Sequence, residues 1–354
     1  MNFRENLQAF WSGSKPDLIP FSINHHLWQP AAGDPAWQSM FERGLGITWR
    51  LASFRVSMPE VEVSEERLIE NGKPIRQQSM RIPEGGLSAS WVTDSDGEEW
   101  PLKYWLETSR DYRLMQQIVE RSQILPDYQA YSELESGLPD YAVALVDTGP
   151  SPIQKMLLDL AGLEMFAFHL ADYPDEVQDL FDVLCDQFRQ ICEVVAAGPG
   201  RCVSVPESFS ADALGPRRFR KYISTVYEEC FPVIHAAGKI VNCYYDGATA
   251  SCKQLIQDAP FDIIEALPLP PEGDLDPSQA RSSWPEKLFW LDLNSAGILK
   301  SSGLIRQELV DVIRQASPDG SRLAFEIAEK LPPDWKDAIP LVMEVLVEIS
   351  DQLK

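Results

Sequence analysis

Residues 238–294 read GKIVNCYYDGATASCKQLIQDAPFDIIEALPLPPEGDLDPSQARSSWPEKLFWLDLN. Three short apolar runs recur in this stretch: Ile240 to Tyr245, Phe261 to Leu267 and Leu288 to Leu293. Each is too short and too continuous for an amphipathic helix. Each reads instead as a strand buried on both faces, as in a parallel sheet. The intervals between them leave room for a helix and two short loops. The runs end in polar side chains: Asp246, Glu265, then Asp292 and Asn294. Buried strands that repeat with polar carboxyl ends predict an α/β fold, a closed (β/α)8 or TIM barrel, in which the chemistry gathers on the strand-end face.

The same pattern extends outward in both directions. Strands are predicted at Leu18 to Ile23, Tyr141 to Val146, Arg201 to Val205 and Arg322 to Ile327, with helical periodicity between them. The first ends in Asn24-His25-His26-Leu27-Trp28, which puts two of the four histidines and a tryptophan at the barrel mouth. Glu207 follows the third of these strands and Glu326 falls at the end of the last. Between Gly46 and Trp105 the pattern changes. Thr, Val, Ser and Trp alternate with charges, and Asn71-Gly72 and Gly85-Gly86 mark tight turns. This segment, 46–105, reads as an antiparallel hairpin insertion in a single barrel domain spanning 1–354.

Composition narrows the function. A net charge of −23 repels phosphate backbones, so no nucleic-acid partner is expected. No apolar run approaches a bilayer span, and the start MNFRENLQAFWSG lacks the pattern of a secretory signal. A cytoplasmic protein with no membrane partner is therefore expected. The six cysteines include no C-x-x-C pair and read as thiols rather than disulfides.

Four segments carry a family resemblance: NFRENLQAFWSGSKPDLIPF (2–21), SFSADALGPRRFRKYI (208–223), HAAGKIVNCYYDGATASCKQLI (235–256) and FDIIEALPLPPEGDLDPSQAR (261–281). Together they resemble the uroporphyrinogen decarboxylase superfamily, in order and over almost the whole chain. That resemblance implies a (β/α)8 barrel acting on a small molecule, and it leaves room for a homodimer. It also implies one of two chemistries: tetrapyrrole decarboxylation, or methyl exchange with a corrinoid carried by a partner protein. Decarboxylases of the family hold substrate carboxylates with an Arg-rich R-Q-A-G-R segment after the first strand, where guanidinium forks suit the task. The corresponding place here, Ser22-Ile23-Asn24-His25-His26, has no arginine. Members that methylate thiols hold zinc with a His-x-Cys pair and a later Cys, and the zinc deprotonates the thiol. The matching positions here are Tyr244-Tyr245-Asp246 and the neighbourhood of Glu326. The soft ligands are absent, Cys243 points to the opposite side of its strand from Tyr244, and no bound metal is expected.

These readings favour a corrinoid-dependent methyltransferase-like enzyme acting on a small methylated substrate or methyl acceptor. A tetrapyrrole decarboxylase and a non-catalytic ligand-binding barrel remain as alternatives. The expected catalytic residues are Asp246, Glu265, Tyr244, His25 and His26. Trp28, Glu207, Asn294 and Glu326 are expected to contact substrate. Carboxylates gathered in one cleft raise each other's pKa, so one of them could hold a proton near neutral pH and act as a general acid.

Overall fold

A computed structural model describes residues 1–94, 97–293 and 304–354. The chain divides into two compact units, one of residues 1–53, 127–149 and 195–354, the other of 54–126 and 150–194.

The first unit contains a closed, all-parallel barrel. Its strands, in chain order, are β1 Phe21–Asn24, β2 Leu45–Leu51, β3 Ala142–Asp147, β4 Cys202–Val205, β5 Ile240–Tyr244, β6 Ile263–Glu265, β7 Leu288–Asp292 and β8 Leu323–Ile327. Each pairs with its neighbours in sequence order, and β8 closes on β1. Seven of the eight coincide with the apolar runs read from the sequence. The eighth, β2, corrects that reading: Leu45–Leu51 is a barrel strand between β1 and β3, so the antiparallel insertion starts after it. Among the described residues no helix is long and apolar enough to cross a membrane.

Side chains alternate in and out along each strand, and the floor of the barrel shows which set points inward. The helix Phe3–Trp11 opens with a capping box between Asn2 and Glu5. It buries Phe3, Leu7, Phe10 and Trp11 in one cluster with Val143, Leu145, Cys202, Ile263, Leu288, Trp290 and Ala324 from the strands. The inward set therefore runs on toward the strand ends as Ser22, Thr48, Arg50, Asp147, Ser204, Asn242, Tyr244, Glu265, Asp292 and Glu326. The floor is tightly fitted: a Cβ on Gly46 would collide with the Phe3 ring. Phe10 is fully buried, and its ring meets that of Trp290 edge-on at 6.1 Å. Phe10→Ala is expected to lower unfolding free energy by about 3–5 kcal/mol, the usual cost of emptying a large aromatic site. Urea titration of the purified variant checks it.

The second unit holds a four-stranded antiparallel sheet of Glu62–Glu70, Lys73–Ile82, Gly85–Thr93 and Glu99–Lys103, in sequence order. The Asn71-Gly72 turn has both residues at positive φ, as a tight hairpin turn demands. A short pair, Phe54–Ser57 with Gln123–Pro126, makes a separate antiparallel ribbon. Of the insertion's tryptophans, Trp105 is buried, Trp91 lies 4.0 Å beneath the Arg76 guanidinium, and Trp100 is exposed.

Candidate active site

The strand-end half of the barrel interior is polar, and one arginine organises it. Arg50, the sixth residue of β2, reaches across the barrel with its Nη2 donating to Glu265 on β6 and, at 3.3 Å, to Oε1 of Glu326 on β8. Both glutamates are completely buried. Asn242 on β5 donates its side-chain N–H to the other oxygen of Glu265. The result is one hydrogen-bonded chain, Asn242–Glu265–Arg50–Glu326, with contributions from four strands.

The two carboxylates differ in their partners. Glu265 accepts at both oxygens, one bond from a guanidinium and one from an amide, which favours its ionised form. Glu326 accepts at Oε1 only. Its buried Oε2 has no hydrogen-bond partner among the described residues, and burial pushes its pKa up against the opposing pull of Arg50 and then His26. Glu326 is therefore the acid of the pair that can hold a proton, on an oxygen turned away from the arginine.

Other strand ends contribute acids around this chain. Burial raises the pKa of Asp147 on β3, while the Gly149 backbone N–H and Arg50 lower it. Asp292 on β7 is fully buried and stands beside Glu326 in register. Burial pushes the Tyr244 hydroxyl far above its ordinary value, and the nearby carboxylates of Asp292, Glu329, Asp246 and Glu326 add to the rise. Burial also raises Asp246, which lies beyond Tyr244, against its own backbone N–H and the Ser208 hydroxyl; nearby Glu329 adds a smaller rise.

The residues selected from sequence therefore fall into several places. Glu265 and Glu326 meet through Arg50, and Tyr244 and Asp246 share their electrostatic neighbourhood. Among the described residues no hydrogen bond or ion pair joins Asp246 to Glu265 directly. His26 lies within electrostatic range of Glu326. His25 stacks on Trp49 at 4.2 Å between ring centroids, and burial, then His26 and Arg50, lower its pKa, so the ring is neutral at pH 7. Trp28 packs edge-on against Phe41, a wall contact. Glu207 lies elsewhere. It accepts from the Tyr227 hydroxyl at 2.6 Å, in the layer between strands and helices where Tyr245 also lies. Counting alternate residues from the inward Ser204 puts Glu207 on the outward side. Asn294 lies outside the described residues. The residues missed by the sequence reading are Arg50 and Asn242.

The donor set does not suit a thiol-activating zinc. Cys243 is fully buried on the outward face of β5, near Glu207 and Tyr227. Among the described residues no three His, Cys, Asp or Glu side chains converge as metal ligands.

The loop after β6 is anchored to the loop after β5. Ala266, directly following Glu265, takes a left-handed φ of 69°, uncommon for a residue with a side chain. The Asp274 carboxylate then accepts from the backbone N–H groups of Thr249 (2.8 Å) and Ala250 (3.0 Å). Gly273 permits the turn, because a Cβ there would collide with the Pro268 carbonyl.

No protein-family model matches the chain, and no curated protein matches it in sequence. Solved structures do match it. A methyltransferase from Methanosarcina mazei covers 99% of this chain and 99% of its own, at a TM-score of 0.57 and 9% identity. The tandem GH20 catalytic modules of the pneumococcal exo-beta-D-N-acetylglucosaminidase StrH cover 94% of this chain and 84% of their own, at a TM-score of 0.36 and 8% identity. At these identities the first match shows a shared fold and nothing finer.

Proposed function

We propose that this protein is an enzyme that donates a proton to a small substrate held at the strand ends of the barrel, with Glu326 as the general acid. One observation carries the reading: Arg50 binds two buried carboxylates while, among the described residues, the second oxygen of Glu326 has no partner. In this arrangement Arg50 and Asn242 hold Glu265 ionised. Arg50 also fixes Glu326 through Oε1, so that Oε2 carries the proton toward substrate. A general acid so placed assists a leaving group that departs as an anion or a free base. Tyr244, kept neutral by burial and by the surrounding acids, is a second hydroxyl donor beside it.

The reaction we favour is methyl transfer. The segments resembling the uroporphyrinogen decarboxylase superfamily and the full-length match in fold to a methyltransferase both support that choice. The acceptor would be a reduced corrinoid borne by a separate protein, which supplies a strong nucleophile for the methyl group. This chain's part is to bind the methylated substrate, orient it and protonate the atom that loses the methyl. Decarboxylation of a polycarboxylate fits less well, because the arginine of the site is already taken up by Glu265 and Glu326. The test mixes the protein with a reduced corrinoid protein and a panel of methylated amines and ethers, and follows the cobalt absorption. Methylation of the cobalt by one class of substrate is expected. An unchanged spectrum across the panel would rule methyl transfer out.

A further inference from the structure

The polar layer around Arg50 holds more carboxyls than the one guanidinium can pair, and its unpartnered atoms say what kind of group would offset them. Glu265 and Glu326 are two buried carboxyls joined to a single guanidinium. A further positive charge offsets part of that excess. At the two ends of the chain stand two buried acceptors without partners among the described residues: Oδ1 of Asn242 and Oε2 of Glu326. The orientation of Asn242 is fixed, since its N–H group donates to Glu265. Asn242 is 0% exposed and so is Glu326, and both belong to the inward set of the barrel. The hydroxyl of Ser22, which sits beside Glu326 in register, and the indole N–H of Trp290, beside Glu265, also lack hydrogen-bond partners among the described residues.

Buried acceptors in a low-dielectric interior strongly favour a ligand that brings N–H donors. An ether brings no donor, a neutral alcohol brings no positive charge to offset the carboxyls, and an anion would add to the excess of negative charge. From this we infer that the substrate class is a small primary or secondary amine, bound as its ammonium form with N–H groups directed to Glu326 and Asn242. The inference rests on the reading of Glu326 as the proton-holding acid. A neutral amine meeting protonated Glu326 and an ammonium meeting ionised Glu326 are the same complex, with one proton shared by the pair.

Binding without turnover tests this. Dimethylammonium, tetramethylammonium, methanol and acetate are titrated into the full-length protein at pH 7 and followed by calorimetry. Dimethylammonium is expected to bind at least tenfold more tightly than any of the others. Tetramethylammonium has the same charge and no N–H, so it separates hydrogen-bonded recognition from attraction by an acidic protein. Glu326→Gln is expected to weaken dimethylammonium at least tenfold while altering the net charge of −23 by one unit only. Equal binding of tetramethylammonium, preference for methanol or acetate, or no binding by dimethylammonium would each overturn the inference. The comparison within the unmodified protein stands even if the variant does not fold. Failure here leaves the acid itself open to a separate measurement, the ¹³C shift of the Glu326 carboxyl against pH. An ordinary carboxyl titration there would instead remove the proton-donor reading.

Discussion

Arg50→Met is expected to destabilise the fold by about 3–5 kcal/mol, because it strands two buried carboxyls without their shared cation. Arg50 is only 15% exposed and its partners are not exposed at all, so solvent offers little substitute. The cost of such a change lies in the charge left behind rather than in the bond removed. It follows that the double variant Arg50→Met/Glu265→Gln should regain most of the lost stability, since a neutral amide replaces the ionised partner. Urea unfolding of wild type, both single variants and the double variant forms a closed cycle. A loss below about 1 kcal/mol for Arg50→Met would show that the bridge is not a structural element.

Glu326→Gln is expected to reduce turnover about 10²–10⁴-fold, the usual contribution of a positioned general acid. The pH dependence follows from the direction of the shift. Burial raises the pKa of Glu326 in the folded protein above its ordinary carboxyl value. The folded state thus holds a proton that the unfolded chain has already released. The contribution to stability is full below the ordinary value and is lost as pH rises through the raised one. Activity that needs the proton falls over the same window. Glutamine keeps the shape and removes the Glu326 titration, so the variant should lose that limb from both the unfolding midpoint and the residual rate. A variant that keeps the wild-type limb would assign the titration to another acid, with Asp147 and Asp246 shifted in the same direction.

Much of the architecture was legible because buried parallel strands are written as uninterrupted apolar runs. IVNCYY, FDIIEAL and LFWLDL announce themselves in this way. The strand that escaped notice, Leu45–Leu51, reads LGITWRL. Its inward positions are Gly46, Thr48 and Arg50, so it alternates polar and apolar like a half-exposed antiparallel strand. That polarity reflects the interior of this barrel, which is greasy at the floor and charged above. Arg50 was hidden with its strand. Asn242 was hidden differently, inside an apolar run where a single amide looks incidental. Glu265 and Glu326 could be selected because a strand-end acid in a barrel has a known direction. Glu207 met the same criterion of position and failed that of parity, which is readable from Ser204 two residues inside the strand.

The clamp made by Asp274 has a consequence for anyone who would re-engineer the substrate range. Laboratory libraries usually randomise one mouth loop at a time. Here the segments 246–252 and 268–276 are latched by a single carboxylate on two backbone amides, so their shapes are inherited together. Swapping either alone from another scaffold would unlatch both, whereas grafting them as a matched pair would preserve the platform under Tyr244 and Glu265.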